Sequence, residues 1–563
     1  MTSKPDEAVP SPDHRSAASR IPSGMPAPGR EARRSAIRTP VALTLLALAL
    51  GLAVEILFYG HPPGISFFLW VALCVGAVVI AGRIEAVRIS HSAWLLMIPA
   101  LFFAAAVFFR QEPLTVFLSL LLTLFVLALL VRVFRFGNVG RFGWIDMAVA
   151  FLWVPIEAWV RPWPVAGEAW GRTVRERGAR RIGFSILRGV LLALPVLVVF
   201  VALLSAADLV FGDYVEQALA WIDLAKLADW TARAAVVLAS ALFLLGALVA
   251  AVRDPGDRRL IGQDQPLMRP FLGFTETAIV LTLVVLVFLS FVAVQFAYLF
   301  GGQANIDAAG YTYAEYARRG FGELVGVAFL ALGMIYALAL VTRLESPRKR
   351  AAFFGLCAAI VLLVGVMLLS AYQRLILYEQ AYGFSRLRTY THVAIGWLAV
   401  AFVVFLVMLG LRRLRQLAPA ALAIAAGFSM TLVWLNVDAF IVDRNARRYA
   451  QSGDLDALYL SSLSADAVPR LVRLAREAEG QEQEALLADL ACRRRALERS
   501  RDRLAWPSAQ ASRSRALDSL AAIEEELAGF PVYLEYHGPT NPRWAVYVVK
   551  TADGFQPCYR AWD

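Results

Sequence analysis

The chain has 563 residues, 59% hydrophobic and only 18% charged, with a mean hydropathy of +0.60. A water-soluble chain of this length needs far more charge, and the apolar residues come in blocks of roughly 20, enough to cross a bilayer core of about 30 Å. The net charge of +11 is uneven: residues 1–437 carry 38 Lys and Arg against 25 Asp and Glu, residues 438–563 carry 17 against 19, so the basic excess reads as a topology signal and no nucleic-acid partner is expected.

Residues 1–39, rich in Pro, Ser, Ala and Arg, cannot bury enough surface to offset chain entropy and are expected to form a disordered basic tail on the cytoplasmic side. Eleven apolar blocks follow, at about 41–59, 64–81, 93–109, 114–131, 186–206, 231–252, 277–300, 323–342, 351–371, 391–411 and 418–437. With the N-terminus inside, the inner loops hold 22 basic residues and the outer loops seven, from Arg110 to Arg388, which fits the positive-inside bias. The stretch "WIDMAVAFLWVPIEAWV", residues 144–160, contains Asp146, Glu157 and three Trp; an interfacial helix on the inner face is the preferred reading over a further span.

At Asp438 the apolar blocks stop. "SADAVPRLVRLAREAE" reads as a helix with Asp466 as N-cap and Pro469 in its first turn. "EQEALLADLACRRRALERSRDRL" reads as a longer helix ended by Trp506-Pro507, with another near 510–528. "PVYLEYH", "RWAVYVVK" and "CYRAW" read as three short strands. The expected architecture is an all-α polytopic membrane domain of about eleven helices, residues 40–437, followed by a soluble α+β domain, residues 438–563, on the extracytoplasmic side.

No phosphate-cradling, zinc-protease, dinucleotide or nucleophile-elbow motif occurs, and the five His are not spaced as metal ligands. Neither a catalytic residue nor a metal or cofactor is therefore assigned. Cys74 and Cys357 fall in apolar runs, whereas Cys492 and Cys558 in the C-terminal segment are free to pair if the compartment is oxidising.

Polar groups collect at the expected outer ends of the spans, where each has a cost to offset. Glu55, Gln295, Glu323, Tyr372, Arg374, His392 and Asn436 are placed this way. In "GYTYAEYARRGFGEL", a helix continuing into the eighth span would put Glu315, Arg319, Gly322, Gly326 and Gly333 on one stripe, with Tyr316 and Arg318 beside it. The small residues would let another helix approach closely. The next outer loop repeats the vocabulary with Tyr372, Arg374, Tyr378, Glu379, Tyr382, Arg386, Arg388 and Tyr390. Its three Arg run against the positive-inside bias, so acidic residues, lipid phosphates or an anionic ligand are expected to compensate them.

The stretches "YTYAEYARRGFGELV", "LYEQAYGFSRLRTYTHVAIGW" and "NVDAFIVDRNARRY…GDLDALYLSSLSADAVPRL" resemble those of a bacterial integral membrane family catalogued as a domain of unknown function, the four-one-seven-three type, akin to the four-one-five-three type. The resemblance spans roughly residues 180–530. It implies a multi-pass protein of the bacterial cytoplasmic membrane and supplies no catalytic residue.

Three functions compete. The first is a protein in the lipid bilayer that binds a protein partner or an anionic lipid or other anionic ligand at its outer face, in a sensor or docking role. The second is a membrane enzyme acting on lipid-linked or envelope glycan, with Arg319, Arg374, Arg388 and His392 holding a pyrophosphate. The third is a transporter, against which stand the uncharged span centres and the lack of a clear inverted repeat.

Overall fold

The computed structural model describes residues 37–135, 137–168, 224–253, 270–300, 321–536, 545–552 and 554–558, with isolated positions between 193 and 214. Among them ten helices are long and apolar enough to cross a membrane. They are α1 (Pro40–Phe58), α2 (Ile65–Ile84), α3 (His91–Phe109), α4 (Pro113–Val133), α6 (Leu224–Val252), α7 (Phe274–Phe300), α8 (Phe321–Val341), α9 (Pro347–Tyr382), α10 (Arg386–Gly410) and α11 (Leu417–Leu435), with α5 (Trp144–Val160) between the fourth and fifth. Ten of the eleven expected spans correspond to these helices; most of the eleventh, 186–206, lies outside the described residues.

The helix starts follow local chemistry. Ser90 and Ser346 cap α3 and α9 through their side chains, and Glu112 caps α4 ahead of Pro113. Pro99 lies inside α3, a position that membrane helices tolerate. Large apolar side chains such as Leu95, Leu330 and Leu362 are more than two-thirds exposed, as expected of lipid-facing positions.

Contacts between helix ends sort into two sides. At one, Glu85 accepts from the amides of Arg38 and Thr39, Phe134 O accepts from Ser90, and Arg135 donates to Val252 O. This basic end also holds both ends of α5: Asp146 lies 4.0 Å from Arg415, and Glu157 lies 3.4 Å from Arg132 and 3.3 Å from Arg161. At the opposite end Tyr59 donates to Asp229, Arg233 meets Glu55, and the C-terminal segment is seated. Both ends of α5 thus lie on the side where α4 stops, and α6 begins at the other side.

Among the described residues two apolar cores fill the bundle. One joins α1 to α6 and the other joins α7 to α10, with α11 touching both through Ala418 and Leu417. α9 has 36 residues, about 54 Å of helix, so its last turns project well beyond a hydrocarbon core of about 30 Å.

Asn436, left-handed at φ 51°, turns the chain from α11 directly into α12 (Val437–Ser452). Then come α13 (Ala457–Ser461), α14 (Val468–Glu477), α15 (Gly480–Arg503), α16 (Ala511–Ala521) and α17 (Glu524–Leu527). A three-stranded antiparallel sheet follows, β1 (Val532–Tyr536), β2 (Ala545–Thr551) and β3 (Gly554–Pro557), in that order. The third strand described, paired from Gly554 opposite Thr551, precedes "CYRAW", of which all but Cys558 lies outside the described residues. Cys492 on α15 and Cys558 after β3 form a disulfide. The Asp466 cap needs correction too. Ser464 caps a 3-10 turn over Ala465–Ala467, and α14 starts after it, which frees the Asp466 carboxylate to reach elsewhere.

This domain holds itself together through a buried arginine. Arg493 is 1% exposed and donates to Leu463 O, Leu460 O and Ser461 O while pairing with Asp489 at 2.6 Å. It satisfies the orphan carbonyls at the end of α13. Burial pushes the Asp489 carboxyl above its ordinary value, and Arg493 offsets part of this.

Candidate functional site at the domain end

The polar residues expected at the outer ends divide three ways. Glu315, Tyr316, Arg318 and Arg319 lie outside the described residues. Glu323 is exposed in the first turn of α8. α8 packs through Leu324, Ala328, Ala331 and Ile335; Gly322, Gly326 and Gly333 sit on its exposed side, where an added Cβ would meet nothing within 4 Å among the described residues.

The projecting end of α9 and the start of α10 do bring several together. Glu379, 3% exposed, lies 2.8 Å from His392 Nε2, and Tyr372 packs edge-on against the imidazole at 4.9 Å. The other carboxylate oxygen of Glu379, Oε1, is buried without a hydrogen-bond partner. Tyr378 packs edge-on against Tyr382 and carries the Arg388 guanidinium 4.0 Å from its ring centroid. Arg388 also donates to the carbonyls of Tyr382 and Gly383, and Arg374 has partners as well. Asn436 is the joint between α11 and α12, with a buried, unpartnered Oδ1.

The loop arginines are thus compensated from within the chain. Arg386 makes two parallel bonds to Asp438, Nε to Oδ1 at 2.8 Å and Nη2 to Oδ2 at 2.7 Å. This is the bidentate fork that favours Arg over Lys. Asp438 is fully buried and also accepts from Ser464 N at 2.6 Å. The Arg386 amide donates to Tyr459 Oη at 2.8 Å, and burial raises that phenol above its ordinary value. Tyr390 donates to Glu112, whose carboxylate caps α4. Asn445 of α12 brackets Phe384 with two bonds, and Arg448 donates to Gln380 O and Ala381 O.

Other loops grip the same domain. Asp466 Oδ2 accepts from the amides of Gln111 at 2.6 Å and Glu112 at 3.1 Å. Burial pushes its carboxyl above the ordinary value; the Gln111 amide and the Arg110 charge offset only part of that. Ile65 N donates to Ala509 O at 2.9 Å, and a Cβ on Gly64 would come within 2.6 Å of that oxygen, so the two backbones meet only because residue 64 is glycine.

Glu112 and Tyr459 were not singled out from the sequence; Asp438 was noted only as the point where the apolar blocks stop, Asp466 only as a helix cap, and Arg386 and Tyr390 only as part of a loop. The one available signal was an Asp immediately after an apolar run, at Asp438. Chemically the site offers a buried carboxylate beside a half-buried imidazole, with Glu379 Oε1 left to accept a hydrogen bond. Among the described residues no group of three or more His, Cys, Asp or Glu converges as a metal ion would need.

No curated protein and no solved structure matches the chain. The model of a family described as a domain of unknown function, DUF4153, matches residues 97–474, about two thirds of the chain. The match is to the four-one-five-three type, which the sequence motifs placed second. It runs from within α3 to within α14 and so takes in both halves of the junction between Arg386 and Asp438. The chain belongs to the DUF4153 family.

Proposed function

We propose that this is a multi-pass receptor or docking protein of the bacterial cytoplasmic membrane, with its N-terminus cytoplasmic and its C-terminal domain outside, which binds a partner or an anionic ligand at its outer face. The observation that carries the reading is the two-pronged bond between Arg386 and Asp438. It ties the soluble domain to the very hairpin that presents Glu379 and His392, so an event on the domain is felt at the spans. The basic end, with Arg83, Arg132, Arg135, Arg343, Arg412 and Arg415, faces the cytoplasm on the positive-inside bias. α5 then lies along the inner surface, both of its ends meeting basic-end groups. Glu315, Tyr316, Arg318 and Arg319 would add to the wall of the outer site, and the open glycine side of α8 to its helix-facing surface.

Orientation is tested with alkaline phosphatase fusions: active after Asp563, inactive after Arg350. The reverse pattern would overturn it. The site is tested by complementation of a deletion strain with Glu379→Gln and His392→Ala, scored beside membrane abundance. Loss of function at normal abundance supports a binding site; full function in both variants removes it.

A further inference from the structure

Arginines at the end of α15 face solvent beside the membrane-anchoring turn of the domain. A cleft of about 560 Å³ is lined there by Arg495, Arg499, Arg501, Arg503 and Tyr547, together with Glu498 and Asp502. The preceding arginines are already used: Arg493 is buried on Asp489, and Arg494 binds Glu498 and Glu524. Glu498 is thereby neutralised, which leaves Asp502 against four cationic heads.

Arg495, Arg501 and Arg503 are exposed and form no ion pair among the described residues. Arg499 is half-buried, donates to Tyr547 Oη and lies 5.5 Å from that ring centroid, so its guanidinium is held in place. The helix dipole accounts for cations only in the last turn. That covers Arg501 and Arg503 but not Arg495 and Arg499.

The cleft lies close to the membrane half of the chain. Three residues after Arg503, Trp506 is 60% exposed at the start of a 3-10 turn. That turn is fixed to the membrane half: Ser508 Oγ donates to Pro62 O at 2.9 Å, and Ala509 O accepts from Ile65 N, the first residue of α2. Arg503 and Ala509 are six steps apart in the chain, which at about 3.5 Å each keeps Arg503 within about 21 Å of the residue that bonds the start of α2. An exposed Trp at that level suits the interface between headgroups and hydrocarbon, and guanidinium groups pair with phosphate in two-pronged fashion.

We propose that this cleft binds the phosphate groups of anionic phospholipids in the leaflet on the domain's own side. The proposal gives the anionic ligand of the outer-face reading a chemical class and takes from that reading only which leaflet is meant; reversed phosphatase fusions would change the leaflet and leave the cleft intact.

The test uses the full chain in a neutral maltoside detergent, titrated with short-chain phosphatidylglycerol, phosphatidylcholine or inorganic phosphate while thermal unfolding is followed. Phosphatidylglycerol should raise the melting temperature saturably, and the other two should not. Arg495→Gln with Arg503→Gln removes two exposed, unpaired charges and should weaken the phosphatidylglycerol effect at least about tenfold, or about 1.4 kcal/mol. Its melting temperature without lipid should stay at the parent value. Arg447→Gln with Arg473→Gln removes the same charge elsewhere on the domain and should bind like the parent. Equal weakening in both double variants, or saturation by inorganic phosphate alone, would overturn the proposal.

Discussion

Arg386 and Asp438 stand 52 residues apart in the chain and meet through two bonds of 2.8 and 2.7 Å at a carboxylate with no exposed surface. A pair so placed is not a surface ornament. Its desolvation is large, and it is held by the Ser464 amide as well as by the guanidinium.

Removing one partner should therefore be severe. Asp438→Asn leaves the Arg386 cation without its counter-charge and is expected to cost about 3–5 kcal/mol. Arg386→Lys should rescue little, because an ammonium cannot span both oxygens. The measurement is thermal unfolding of the purified full chain, with limited proteolysis reporting release of the domain. An Asp438→Asn protein that melts with the parent would reduce the pair to a solvated bridge worth less than about 1 kcal/mol.

Arg493 makes a second prediction, internal to the domain. Arg493→Met keeps much of the volume but strands Asp489 and the carbonyls of Leu460, Ser461 and Leu463. A loss of at least about 3 kcal/mol is expected, from the uncompensated charge and the unpaired acceptors. Chemical denaturation followed by circular dichroism reads it. A midpoint unchanged from the parent would mean that the fan of bonds contributes nothing net.

Asp466 sets a pH dependence of unusual sign. Burial raises its folded-state pKa above the ordinary 3.8, so the folded protein binds the extra proton between that value and the raised one. In that window the folded state holds more protons than the unfolded, and its contribution to stability declines as pH rises. Asp466→Asn keeps an oxygen to accept from Gln111 and Glu112 and cannot ionise. The difference in stability between variant and parent should grow in the variant's favour from pH 4 upward. A variant that loses ground as pH rises would refute the sign.

The disulfide gives a prediction for chemistry and compartment together. Cys492 and Cys558 close a loop of 66 residues, while Cys74 and Cys357 are free thiols. After denaturation without reductant two thiols should titrate, and after reduction four. Cys558→Ser should lower stability by about 2–4 kcal/mol under oxidising conditions and by little with reductant present. Four thiols titrating in protein drawn directly from membranes would place the domain in a reducing compartment.

The spans were legible because bilayer thickness sets a length, and length is visible in a string of letters. So were the C-terminal helices and two of the strands, whose periodicity is local. The junction was not. Asp466 looked like the cap of its own helix because a carboxylate before a Pro-containing helix usually is one; only the fold shows that Ser464 takes the local role and that the carboxylate crosses to Gln111. The outer-loop arginines were seen to need compensation, yet Asp438 sat at the foot of a run read as a span and was not matched to Arg386. Glu379 and His392 are 13 residues apart, and the turn between α9 and α10 brings them together in a way that no helical spacing announces.

The contact between Gln111 and Asp466 also dictates an order of events. The two are separated by 355 residues, so at roughly 5–20 residues per second the first partner waits about 20–70 s for the second to be synthesised. Through that interval the rim around residues 62–65 and 109–112 stands uncovered, and the cap of α4 has no Asp466 beside it. A segment made hundreds of residues later is thus the one that seals the first half of the bundle. A chain cut short anywhere before Ala509 is left with an open rim, a state that quality-control proteases can recognise without reading the missing sequence.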